Sequence, residues 1–138
     1  MMTTILTPVL ALIAWSLVVW FWMVATRVPA MQKARMHPQK AVRTNALELP
    51  TNVLQVSDNY NHLMEQPTIF YALVMYVALT NGETTLNIAL AWAYVGLRVL
   101  HSLVQNTANV VMIRFYLFVA STLCLVAIAV EQGLALAA

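Results

Sequence analysis

The chain has 138 residues, of which 62% are hydrophobic and only 9% charged, with a formal net charge of +2. Soluble domains run near half apolar and a quarter charged, so this chain lacks the charge to clothe a water-facing surface. Lipid is the expected solvent for much of it. The small net charge and the lack of a basic stripe interleaved with aromatics exclude nucleic acid as a partner. The single cysteine, Cys124, excludes a disulfide framework within one chain and any cysteine-based metal spacing.

A spanning helix needs about 20 mostly apolar residues. The first such run covers about 5–26 and contains no charge before Arg27. Trp15, Trp20 and Trp22 fall in its second half, where amphipathic rings anchor at headgroups. The run is too long for a signal-peptide core, no basic residue precedes it and no Ala-x-Ala site follows, so it reads as a retained helix. Residues 27–51 form the polar loop, with Pro29, Pro38 and Pro50 as breakers. Five of the seven Lys and Arg lie between positions 27 and 43. Basic loops stay in the cytoplasm, which predicts both termini outside. A bacterial inner membrane, with periplasmic termini, fits the short loops.

The second helix is expected over 52–79, kinked at Pro67, which has no backbone donor. Asn81-Gly82 marks a tight turn. The third and fourth helices are expected over 85–104 and 110–130, completing an all-α, four-helix membrane bundle as one domain. Asn106 and Asn109 read as turn residues. Trp92, Tyr94 and the methionines read as packing and interface anchors, and Cys124 as a small apolar filler.

Two stretches carry polar residues where Leu or Val would serve. Asp58, Asn61, His62 and Glu65 are spaced i, i+3, i+4 and i+7, which places them on one helix face. Arg98, His101, Ser102 and Gln105 repeat that spacing in the third helix. A charge at mid-membrane costs about 2.5–3.5 kcal/mol on insertion scales, so Glu65 and Arg98 are expected to face each other inside the bundle. Arg114 brings a further cation to the same end. Guanidinium grips carboxylates in a fork and a carboxylate holds an ammonium, so a peptide-like ligand with both groups, such as glutathione, suits this set. The structural readings are a packing ion pair for Glu65 and Arg98, a helix-to-helix hydrogen bond for His62, a solvated Asp58 and an interface-seeking Arg114.

The run His62-Leu-Met-Glu65-Gln-Pro67, then Arg98-Val-Leu-His101-Ser102, then Arg114, resembles the MAPEG family, the membrane-associated proteins in eicosanoid and glutathione metabolism. The likeness covers about 53–130. It implies a homotrimer with glutathione between neighbouring subunits toward the cytoplasmic side, and a hydrophobic small molecule as second substrate. Carried over by position, Glu65 would hold the glutathione amino group, Arg98 would be a pairing or contact residue and His101 would line the site. Arg114 would be the catalytic arginine beside the reactive thiol. Asn61 and His62 would stand among the ligand contacts.

The chain departs from the pattern at four positions. Asp58 and Asn61 stand where glutathione-binding members have arginines, His62 where they have asparagine, and Gln105 where they have tyrosine. Three functions follow as expectations: glutathione-dependent transfer or peroxide reduction on a lipophilic substrate, non-catalytic lipid binding as in the lipoxygenase-activating member, and a structural subunit of a larger membrane complex. A proton relay through Glu65, His62 and His101 ranks last, because only one end of the span is polar.

Overall fold

The computed structural model describes residues 4–39 and 48–138. Lys40 and Arg43 of the basic loop lie outside the described residues, and among those described the chain is helical with no strand. The helices are α1 (Leu6–Lys33), α2 (Thr51–Glu65), α3 (Pro67–Leu79), α4 (Thr85–Asn106) and α5 (Val111–Ala137). α2 and α3 are two halves of one rod, so the architecture is a four-membered all-α bundle. α1, α4 and α5 are each long and apolar enough to cross a membrane.

The break between α2 and α3 has a local cause. Pro67 has no N–H and its ring crowds the carbonyl one turn back. Gln66 keeps helical dihedrals (φ −61°, ψ −37°), so the rod is interrupted rather than ended. α1 runs past the expected end at 26 and passes through Pro29 to Lys33. Ala30, Met31 and Met36 pack there against Leu49 and Val53, a small apolar cluster that joins the foot of α1 to the start of α2. The helix then stops where Arg35 adopts a left-handed conformation (φ 49°) and the Met36 N–H reaches the Met31 carbonyl at 3.1 Å. α3 closes in the same way: Asn81 is left-handed (φ 54°) and the Gly82 N–H donates to the Val77 carbonyl at 2.9 Å. Both are the six-to-one closures of a Schellman motif. Thr84 caps α4, its hydroxyl accepting from the Asn87 N–H at 3.1 Å.

α4 is the centre of the bundle and packs against α5, α1 and α2. Tyr94, read with Trp92 as a packing and interface anchor, takes the packing part: it is fully buried, stacked on Phe70 with ring centroids 4.5 Å apart. Leu12 and Val19 of α1, Leu63, Val74 and Val77 of the α2–α3 rod, Ala91 and Val95 of α4, and Ile128 of α5 complete this core. α1 and α5 present Leu10, Phe21, Leu123 and Leu134 outward. An apolar exterior of this kind belongs against acyl chains, and the protein is an integral membrane protein. Lipid is as apolar as leucine, so packing and polar contacts between helices hold such a bundle together more than water exclusion does.

Candidate functional site

At the end of the bundle where α1 hands over to α2, the polar face of α2 opens onto a cleft of about 250 Å³. Gln55, Asp58, Asn61, His62 and Glu65 line it from α2, and Gln105, Asn109 and Arg114 line it from α4, the following turn and α5. A second groove of about 260 Å³ adjoins it, walled by His62, His101, Val111, Arg114, Phe115 and Phe118. His62 and Arg114 belong to both, so a polar compartment and an aromatic one share a wall.

Each of these side chains is placed by a simple feature of the sequence. The i, i+3, i+4, i+7 spacing puts Asp58, Asn61, His62 and Glu65 on one stripe. Gln55 extends that stripe one turn earlier, and its amide N–H donates to the Asn106 carbonyl at 3.0 Å, tying α2 to the end of α4. Asn109 is left-handed (φ 50°), and from that turn its side-chain oxygen accepts from Arg114 Nη1 at 2.7 Å. The guanidinium is thus held at the mouth of α5. His62 Nδ1 lies 3.2 Å from Glu65 Oε2, and the His62 and His101 rings meet edge to face at 6.2 Å.

Arg98 corrects an expectation. Glu65 and Arg98 do not face each other as an ion pair: the Glu65 side chain is 68% exposed and pairs with His62, whereas Arg98 is 1% exposed. Arg98 Nη2 instead donates to the His62 backbone carbonyl at 3.1 Å, and its guanidinium carbon lies 5.9 Å from the centre of the Phe118 ring. The carbonyl it takes lies on the turn just before the proline break. Backbone hydrogen bonding is loosened over the turn before Pro67, a carbonyl oxygen has a lone pair to spare, and a charged donor makes the stronger bond. Arg98 therefore braces the kink, while Glu65 remains at the cleft.

The interior around the cleft is rich in polar atoms that find no partner among the described residues. They include Nε and Nη1 of Arg98, Nδ1 of His101, Oγ of Ser102, Oε1 of Gln105 and both side-chain polar atoms of Asn59 and Asn106. Buried polar groups are normally paired, with water or a ligand where protein does not serve. Such a concentration beside an open cleft is what a solvated or ligand-filled site requires.

Asp58, Asn61, His62, Glu65 and Arg114 are thus brought to one cleft, His101 to the adjoining groove and Arg98 beneath both. Sequence reasoning passed over Gln55 and read Asn109 only as a turn. Gln55 was findable, since it stands three residues before Asp58 on the same stripe.

No curated protein and no solved structure matches the chain. The sequence profile of the MAPEG family matches residues 5–133, nearly the whole length. A helical membrane bundle with its polar site at one end agrees with that match, and the chain belongs to the MAPEG family of membrane proteins.

Proposed function

We propose that the protein binds a small peptide thiol of the glutathione type in the polar cleft and transfers it to, or uses it to reduce, a lipophilic molecule held in the adjoining aromatic groove. One observation carries this reading: Arg114 lines both compartments. Bound there, the thiol supplies the nucleophilic sulfur. Glu65, exposed and facing the cleft, receives the ligand ammonium. The Arg114 guanidinium, fixed by Asn109, holds negative charge on sulfur and lowers a thiol pKa from about 8.5. Val111, Phe115 and Phe118 exclude water on the side from which the lipophilic partner arrives.

The assembly belongs to the same proposal. Asp58, Asn61 and Glu65 are exposed on this chain alone, at the edge of a helix that packs within a membrane bundle. Such groups need cover, and a second and third copy closing over the cleft as a homotrimer would supply it. The basic residues Arg27, Lys33 and Arg35 at the foot of α1 support a cytoplasmic placement of this end, with the termini on the periplasmic side of a bacterial inner membrane.

Calorimetry with millimolar glutathione on the detergent-solubilised full chain tests the reading. Saturable heat is expected, and Glu65→Ala or Arg114→Ala should weaken it at least about tenfold, the loss of one charge-assisted contact. A flat trace with every thiol peptide overturns it. A second reading, lipid presentation without chemistry, draws on the aromatic groove alone. Co-purified lipid displaced by no thiol would favour it.

A further inference from the structure

The charges this chain brings to the cleft repeat the balance of glutathione and do not complement it. Glutathione carries two carboxylates and one ammonium. Among its described lining residues the cleft offers two carboxylates, Asp58 and Glu65, and one guanidinium, Arg114. The two acids stand two turns apart on α2, roughly 10 Å of helix rise, so they present two separate anionic points and not one shared site.

Hydrogen-bonding capacity leans the same way. Gln105, 2% exposed and lining the cleft, has an amide oxygen with no partner, which is an acceptor awaiting a donor. The Gln55 amide nitrogen is already committed to the Asn106 carbonyl, and one arm of Arg114 to Asn109. Arg98, the other cation of this end, is sealed under the kink with its Nη2 on the His62 carbonyl. Arg114 Nε stays unpartnered, so on this chain one cation faces two carboxylates and the open Gln105 oxygen.

We propose, resting on the thiol reading above, that this cleft selects a peptide thiol that is neutral or cationic overall, one whose C-terminal carboxylate is amidated or extended by an amine, over the free dicarboxylate. Glu65 holds the amino-terminal ammonium and Arg114 faces the sulfur. Asp58, which lines the cleft together with Gln105, receives the N–H donors of the modified terminus. In this arrangement Asp58 is a specificity-determining residue, because a like charge brought against it weakens binding, whereas an amide or ammonium strengthens it.

The test compares glutathione with its C-terminal amide by calorimetry, on the wild-type full chain and on Asp58→Asn. The expected result is about tenfold tighter binding of the amide to the wild type, the scale set by one like-charge contact near a protein surface. Asp58→Asn should bring the two ligands within about twofold of each other by removing that contact. The wild-type comparison needs no variant, so a folding or assembly defect in Asp58→Asn cannot mask its answer. Equal or tighter binding of the free acid by the wild type overturns this inference and leaves the thiol reading standing, as does a preference that Asp58→Asn leaves unchanged. Binding of neither thiol overturns both.

Discussion

The two ends of the bundle are built from similar polar residues and put them to different use. At the end closed by the Asn81–Gly82 turn, side chains lock onto one another and onto the backbone. Thr84 donates to Glu131 Oε1 at 3.0 Å, and Asn87 and Gln132 both donate to the Gly82 carbonyl, at 3.1 and 3.3 Å. At the opposite end, Asp58, Glu65, Gln105 and Arg114 surround open space, and the buried atoms behind them lack partners. Asn87 Oδ1 and Glu131 Oε2 are left unpartnered at the closed end too, so what sets the far end apart is the open cleft in front of its unpartnered atoms. The contrast does not lie in residue type, since glutamate and glutamine serve both ends.

Substitutions at the two ends should separate in kind. The largest effect on stability is expected at Arg98, which lies behind the site but works as a clasp. Arg98→Ala removes a charge-assisted hydrogen bond and leaves a cavity, so it should cost about 2–4 kcal/mol in a denaturant titration in detergent. Arg98→Met keeps the volume and relieves a buried charge, and should lose markedly less. Wild-type stability in Arg98→Met would show that the guanidinium braces nothing. At the closed end, Thr84→Ala removes the cap of α4 and the contact with Glu131 and should cost about 1 kcal/mol. Ligand binding at the far end should stay unchanged in that variant. The smallest effect is expected at Gly82. A methyl group there runs into the Gln132 side-chain oxygen, but that group is the mobile tip of a side chain. Gly82→Ala should displace it and cost less than about 1 kcal/mol, one neutral hydrogen bond. A thiol-binding defect in Thr84→Ala or Gly82→Ala would erase the distinction between the two ends.

Much of this contrast is legible in the amino-acid sequence. The stripe of Asp58, Asn61, His62 and Glu65 follows from helical spacing alone, and Pro67 announces its own break. The partner of Arg98 was not legible. Charge complementarity pointed to Glu65, but Arg98 takes the His62 carbonyl on the turn before Pro67, and no spacing rule records a carbonyl. Residue type leaves Tyr94 open between packing and the interface, and its register on α4 turns it onto Phe70. Asn109 read as a turn from its residue type and is one, with φ 50°. Its second role, holding Arg114, depends on how that turn aims its side chain, which only coordinates reveal. Asn59 and Asn106, buried with both side-chain polar atoms unpartnered, show the same limit: their residue types favour turns and surfaces, and only packing puts them inside.

The most direct test is a density map of the protein in nanodiscs with a saturating thiol peptide. The account predicts peptide-shaped density in the cleft, with its amino group at Glu65 and its sulfur toward Arg114 where the polar and aromatic compartments meet. A map with that cleft filled only by solvent, or with the peptide bound elsewhere on the bundle, would contradict it.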